Sequence, residues 1–213
     1  MVGWVELELH VVGDGFVYAS PGDVLELPAL VHNHGNTGAT MTFRNSLFYT
    51  WSSVTPPPVF VPAGGSVAVN ASVVVPYYAH RNWVHLVAEA DGYFGQWDFI
   101  TWQIRVPLTI EVDVTQPGPI IPARGDVRLS YHNGAPAVNL PITVTESWTL
   151  HPLGLLENTA NLVSDANGAA TFGFAFIGTS GLPLSHNLRI DVNRYGVHDI
   201  LDTSYDVLVA DPW

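Results

Sequence analysis

The sequence predicts an all-β chain that folds as two β-sandwich domains in tandem. Short runs of alternating apolar and polar residues recur along the 213 residues, and turn signals rich in Gly, Pro, Asn and Asp separate them. No apolar pattern with a helical period persists. Because one such sandwich takes roughly 100 residues, we place the boundary at Pro107, which gives domains 1–107 and 108–213.

The first predicted strand, within residues 4–12, has the clearest period of two. Its apolar face consists of Val5, Leu7, Leu9 and Val11. Two interpretations stay open. The segment is either the first strand of its own sandwich, or a donor strand, residues 1–12, that completes a sheet in the next subunit.

Residues 21–43 predict a strand, a turn and a second strand. Pro21-Gly22-Asp23 opens the stretch, an apolar run follows to Val31, and Asn33, Gly35, Asn36 and Gly38 then allow the chain to reverse. This pattern resembles the second strand and turn of a CARDB-type immunoglobulin-like domain. The resemblance implies a cell-surface module of archaea or bacteria.

Further strands are predicted in the first domain at residues 67–73, 84–90 and 97–106. Proline-containing loops at residues 56–58 and 76–78 precede the first and the second of these strands. The residues expected to fill the core of this domain are Val24, Leu27, Leu30, Val84, Leu86 and Ile104.

The second domain begins with an alternating strand at residues 108–114. Residues 146–162 lose the alternation, and we expect a short helix or an irregular loop there. Residues 164–172 resemble the hairpin of Big-type and carboxypeptidase-regulatory-like domains, with Asn167-Gly168 as the tight turn. A last strand is predicted at 205–210. The expected core is Leu129, Ile142, Val144, Phe172, Phe174, Leu188 and Ile190.

The charge pattern excludes several classes of partner. The formal net charge is −12, and all seven basic residues are arginines scattered along the chain. Nucleic acids and anionic membranes need clustered basic residues, so neither is an expected partner.

No run of about 18 apolar residues occurs, so no membrane span is predicted in this chain. Without Cys or Lys, neither disulfides nor Lys–Asn isopeptide bonds can form.

No catalytic, cofactor or metal site is predicted. His32 and His34 would share a strand face, but no spacing indicates the third ligand that a metal needs. Asp165 and Asn167 resemble the start of a calcium loop whose later carboxylates are missing. The run at 178–181 lacks the last glycine of a nucleophile elbow. We therefore expect that the protein is not an enzyme.

Two kinds of binding residue are candidates. Asn70 begins the sequon Asn-Ala-Ser and is a candidate glycosylation site. An aromatic-rich stretch is a candidate contact patch, with core, protein-contact and sugar-stacking interpretations all open; its residues are Tyr77, Tyr78, Trp83, Tyr93 and Trp97.

Together the two motifs resemble those of archaeal extracellular filament subunits of the thread or pilus type. This resemblance implies a structural subunit of an extracellular filament or surface assembly, with a removed signal peptide and copies of itself as partners. Donor-strand addition would join the subunits without covalent bonds. The alternative is an adhesin-like surface module that binds a carbohydrate or another partner, with cell-surface glycans as candidate ligands.

Overall fold

The computed structural model describes residues 2–45, 51–115, 123–150, 154–174 and 184–207. Contacts divide the chain into two compact units, Met1–Pro107 and Leu108–Trp213. Every regular element among the described residues is a β-strand. The predicted fold class is confirmed: each unit is an immunoglobulin-like β-sandwich made of two sheets.

The described part of the first unit contains nine strands in two sheets. The four-stranded sheet has the order β1-β3-β7-β5, and the five-stranded sheet has the order β2-β9-β8-β4-β6. All pairs are antiparallel except β2 and β9. The strands are β1 (Leu7–Val11), β2 (Phe16–Tyr18), β3 (Val24–Asn33), β4 (Ala39–Asn45), β5 (Ser53–Val54), β6 (Val59–Val61), β7 (Ser66–Val74), β8 (Arg81–Ala90) and β9 (Trp97–Arg105).

The core of the first unit corrects two of the predicted residues. On β3 the buried side chains alternate as Leu27, Ala29 and Val31. Val24 is therefore on the outer face, where it is 63% exposed, and Leu30 is only half-buried. Residues three apart cannot share a strand face, because successive side chains point to opposite sides. The other predicted core residues of this unit are buried: Leu27, Val84, Leu86 and Ile104.

The turn after β3 shows why its Asn and Gly residues are needed. The buried Asn33 amide donates to the Thr37 carbonyl at 2.9 Å, and its oxygen accepts from the Gly35 N–H at 2.9 Å. A Cβ on Gly35 would lie 2.2 Å from the Trp4 carbonyl oxygen. The turn thus packs directly against the segment that leads into β1.

The second unit has a three-stranded sheet of order β10-β11-β14 and a four-stranded sheet of order β13-β12-β15-β16. Its described strands are β10 (Leu108–Thr115), β11 (Ala123–Tyr131), β12 (Pro141–Leu150), β13 (Gly154–Val163), β14 (Ala169–Phe174), β15 (Leu184–Arg194) and β16 (Val197–Val207). All seven predicted core residues of this unit are buried.

The expected helix or loop at residues 146–162 is wrong. Its described residues, 146–150 and 154–162, belong to β12 and β13, which pair antiparallel from Pro141↔Val163 to Leu150↔Gly154. The alternation is hidden because Glu146 occupies an inward position between Val144 and Trp148. The last strand begins at Val197, eight residues before the predicted start, and residues 208–210 lie outside the described part.

Candidate binding surface

Large aromatic side chains lie on the outer face of the five-stranded sheet. Trp97 is 54% exposed, Phe99 52%, Phe16 48% and Trp83 38%. They point outward because the intervening positions of β8 and β9 fill the core. We call this surface the aromatic–arginine face; it comprises Phe16, Trp83, Trp97, Phe99, Arg44, Arg81 and Arg105.

The rings on this face are held by their neighbours. The Trp97 and Phe99 rings stack with centroids 6.3 Å apart and an interplanar angle of 30°. The Phe99 ring lies 6.5 Å from that of His85, which pairs with the Thr101 hydroxyl at 2.7 Å. A row of rings therefore runs diagonally across β9 and β8.

A buried amide contacts one of the two arginines at the other end of the face. Arg81 and Arg105 are cross-strand partners. Gln103, 4% exposed, is two residues before Arg105 on β9. Its amide oxygen accepts from Arg105 Nη2 at 3.3 Å or, when the amide is turned, from Arg81 Nη2 at 2.8 Å. Each guanidinium also lies over a ring, Arg81 at 5.2 Å from Trp83 and Arg105 at 5.1 Å from Phe16.

The structure brings together only part of the predicted aromatic patch. Trp83 and Trp97 lie on the aromatic–arginine face, whereas Tyr77 and Tyr78 lie in the turn before β8. Tyr93 follows β8 and lines a shallow groove with Phe94, Thr42, Glu89, Ala90, Asp91 and Gly92. Sequence reasoning missed Phe16, Phe99 and the arginines. Assigning alternate residues of β2, β4, β8 and β9 to the outer face would have found them.

The predicted donor strand pairs within its own chain. β1 forms an antiparallel ladder with β3, from Leu7↔Asn33 to Val11↔Ala29. Val5 and Leu9 are buried, Leu7 and Val11 are half-buried, and the Leu9 N–H donates to Asp98 of the other sheet at 2.8 Å. This is the position of an ordinary first strand, one of the two interpretations left open. Strand exchange between copies stays a proposal.

The opposite, outer face of the four-stranded sheet is acidic. We call it the acidic face; it includes Glu6, Glu8 and Glu26, which lie on the outward side of β1, its lead-in and β3. Glu8 contacts His34 Nε2 at 2.5 Å and His10 Nε2 at 3.3 Å. The hydrogen bond from His34 is the main reason that the pKa of Glu8 lies below its ordinary value.

Asn70 lies exposed on the same outer face, in β7 opposite Pro28. His32 also points outward there, where its ring lies 4.0 Å from that of His34 and contacts the Ser66 hydroxyl. Within the described residues, no group of three His, Asp or Glu side chains is arranged to hold a metal ion.

The second unit contains a buried polar cluster that the sequence did not reveal. Glu146, 3% exposed, lies 2.9 Å from His186 Nδ1 and accepts hydrogen bonds from Tyr205 and, at 3.1 Å, from Asn158. The Trp148 ring stacks on His186 at 4.9 Å. The cluster adjoins the apolar residues of the inner sheet faces, such as Val144 and Leu188.

The protonation of this cluster follows from its contacts. Burial alone raises the pKa of Glu146, but the hydrogen bonds from His186, Tyr205 and Asn158 together outweigh it and hold the pKa below its ordinary value. Burial, with the Glu146 carboxylate second, raises the pKa of the Tyr205 hydroxyl. Glu146 is thus an ionised acceptor inside the protein, and the three protein donors take the place of water around its carboxylate.

Asp165 stabilises the hairpin that follows β13. Its Oδ1 accepts from the Asn167 and Ala169 N–H groups, each at 2.8 Å, and these bonds lower its pKa. Gly168 has φ +72°, and a Cβ there would lie 2.3 Å from the Leu129 carbonyl oxygen. The Asp165 carboxylate therefore holds the turn at residues 165–169 by two hydrogen bonds to backbone N–H groups. The run at 178–181 lies outside the described residues.

Comparison with known proteins identifies no family. No family model and no curated protein matches the chain. Several solved structures are similar at low identity. A Salmonella alpha-2-macroglobulin reacted with methylamine is 14% identical, with a TM-score of 0.43, and the match covers 98% of this chain and 15% of that one.

Two further structures are similar at the same level. Red sea bream transglutaminase is 15% identical, with a TM-score of 0.44 over 99% of this chain and 32% of that one. The secreted serine protease VesC from Vibrio cholerae is 12% identical, with a TM-score of 0.39 over 94% of this chain and 50% of that one. The chain thus spans half or less of each of these proteins.

Among its described residues, no helix is long and apolar enough to cross a membrane.

Proposed function

We propose that this protein is a non-catalytic structural subunit of an extracellular filament or surface assembly, and that the aromatic–arginine face is its main contact surface. The observation that supports this most is the set of half-exposed Trp and Phe rings on one sheet face. Aromatic residues and Arg are the types enriched at protein interfaces and among their hot spots.

The geometry of the face supports binding by a preorganised surface. Two of its three arginines are restrained, because the guanidinium groups of Arg81 and Arg105 each lie over a ring and the Gln103 amide oxygen accepts from one of them. Side chains ordered before binding lose less conformational entropy when a partner arrives. A rigid surface of this kind suits repeated contact between identical subunits.

The remaining parts of the proposal rest on the sequence. Without Cys and Lys, subunits would be joined by non-covalent contacts. The resemblance of residues 21–43 and 164–172 to surface-protein motifs supports an extracellular location and an archaeal or bacterial source. Asn70 is exposed and therefore accessible to glycosylation.

Light scattering and electron microscopy of the purified protein test this function. We expect association that increases with concentration and is weakened by the double substitution Trp97→Ala/Phe99→Ala. Tyr77→Ala is the matched control, because Tyr77 is an exposed ring in a turn. A wild-type protein that stays monomeric at every concentration would contradict the proposal.

A carbohydrate-binding module is the second candidate. The near-parallel Trp97 and Phe99 rings favour it, since flat aromatic surfaces can stack on sugar rings. Such a module would be a stable monomer that is retained on immobilised polysaccharide, and Trp97→Ala would release it. Monomeric protein without retention on any polysaccharide would count against this candidate.

Donor-strand addition stays a separate proposal for how subunits join. Among the described strands β1 pairs only with β3, so its exchange would break one ladder and the Leu9–Asp98 hydrogen bond and would withdraw Val5 and Leu9 from the core. Deleting residues 1–12 should then abolish assembly, and the free peptide should bind the truncated protein. If the truncated protein assembles normally, β1 is not the link.

A further inference from the structure

The two outer faces of the first unit have opposite charge. Residues 1–107 contain three basic residues, Arg44, Arg81 and Arg105. All three are exposed on the aromatic–arginine face, and Glu89 is the acidic residue beside them, 4.0 Å from Arg44. The acidic face on the other sheet contains Glu6, Glu8 and Glu26. The unit is therefore a sandwich with a basic side and an acidic side.

The charges on the two faces also have matching spacings. Arg81 and Arg105 form a pair at one end, and Arg44 pairs with Val87, six residues further along β8, or ~20 Å away. On the acidic face Glu8 is the partner of His32, and Glu26 lies six residues further along β3, again ~20 Å away. Each face thus has two charges close together and a third roughly 20 Å from one of them, with Glu8 also in contact with His34 and His10.

We infer that the acidic face of one copy docks on the aromatic–arginine face of the next. The inference rests on the proposed function, since it assumes that the assembly is made of copies of this chain. The occupant is a second copy because charges of the required sign and spacing lie on the chain itself. Since the two faces differ, the contact is heterologous, and such contacts extend into an open filament unless rotation closes a ring.

The apolar surface of the two faces also suits this contact. The outward positions of the acidic face include exposed apolar side chains, namely Val24, Val54 and Val74, with Leu30 half-buried. A large aromatic side chain can bury roughly 150–250 Å². The half-exposed rings of the opposite face therefore offer on the order of 400 Å², about half of what one partner contributes to a standard interface. The arginine stems add to this area.

One consequence concerns Asn70. It lies on the acidic face near the middle of β7, opposite Pro28 of β3. A glycan at Asn70 would project from the surface that the next copy covers. Glycosylation there and docking on that face therefore exclude each other.

Reciprocal charge reversal tests the docking. Variant one is Arg81→Glu/Arg105→Glu, which makes both faces acidic, and variant two is Glu6→Arg/Glu26→Arg, which makes both faces basic. Each alone should associate at least about tenfold more weakly than the wild type, because like charges then face each other. An equimolar mixture should regain association, because the acidic faces of variant one alternate with the basic faces of variant two.

The controls separate this inference from the proposed function. Arg124→Glu/Arg128→Glu makes the same charge change at exposed positions of β11, and it should leave association unchanged. Circular dichroism should show that every variant is folded, since all changed side chains lie on the surface. If the wild type assembles but the mixture does not, the docking is wrong and the proposed function stands. If the wild type never assembles, both are wrong. Loss of binding to a polyanionic polysaccharide by variant one, without rescue by mixing, would show a glycan site and overturn the docking.

Discussion

Both units are β-sandwiches, but the first exposes aromatic and charged side chains on an outer sheet face, whereas the second buries such side chains next to its core. In the first unit Trp97, Phe99 and the arginines are exposed on one sheet face. In the second unit Glu146 and His186 are buried next to the core. Exposed rings contribute little to the stability of a domain and much to its contacts, whereas a buried hydrogen-bonded network specifies one packed state. The proposed function therefore assigns contacts to the first unit, and we expect the buried cluster of the second unit to stabilise its fold.

The largest expected effect is on the core of the second unit. Phe174 is buried and packs against Phe172 with ring centroids 5.4 Å apart. Replacing Phe174 by Ala should lower the free energy of unfolding by ~3–5 kcal/mol, because it leaves a cavity. Urea denaturation measures this. Phe60→Ala, at an exposed ring of the first unit, is the control. A loss below ~1 kcal/mol would place Phe174 on the surface.

Removing the buried carboxylate should have a slightly smaller effect. Glu146→Leu leaves the donors of His186, Tyr205 and Asn158 without their acceptor, and breaking such a buried pair costs about 3 kcal/mol. Glu157→Leu, at an exposed position of β13, should change the free energy of unfolding by less than about 0.5 kcal/mol. Equal effects of the two substitutions would mean that the cluster does not stabilise the unit.

The same carboxylate predicts a pH dependence. The folded-state pKa of Glu146 lies below its ordinary value of 4.5, so the unfolded state binds the proton more tightly. This contribution to stability is present above pH 4.5 and disappears as the pH falls through the folded-state pKa. Thermal unfolding between pH 7 and pH 3 should therefore show a steeper decline for the wild type than for Glu146→Gln. If the two proteins lose stability in parallel as the pH falls, the low folded-state pKa of Glu146 is wrong.

The smallest expected effect on stability is at the aromatic–arginine face. Trp83→Ala removes a partly exposed ring, and we expect a change in the free energy of unfolding of about 1 kcal/mol or less. The same substitution should weaken association at least about tenfold, as at an interface hot spot. Paired denaturation and light-scattering measurements check both. A large loss of stability with unchanged association would reverse the comparison between the units.

Much of the fold could be predicted because strand alternation is a local signal. It gave the fold class and the core of the second unit correctly. It misplaced Val24 and Leu30, since β3 is apolar on parts of both faces. It also failed at β12, where Glu146 at an inward position made a regular strand look irregular. A buried polar residue with hydrogen-bond partners on other strands leaves no local trace.

The candidate surface could be predicted less well because it depends on register. Trp83 and Trp97 share a face because Trp97 pairs with Glu89, six residues along β8 from Trp83. Proximity in sequence grouped them instead with Tyr77, Tyr78 and Tyr93, which lie in turns. The opposite charges of the two faces likewise depend on which alternate residues of several separate strands point outward. Only the strand pairing shows which of these residues are neighbours.

Hydroxyl-radical footprinting of the protein across a concentration series tests the central claim most directly. It measures the solvent reactivity of individual side chains in the monomer and in the assembled state. We predict that Trp83, Trp97 and Phe99 become protected as the protein associates, while the exposed Tyr77 keeps its reactivity. If association proceeds while all three rings stay as reactive as in the monomer, the aromatic–arginine face is not the contact surface.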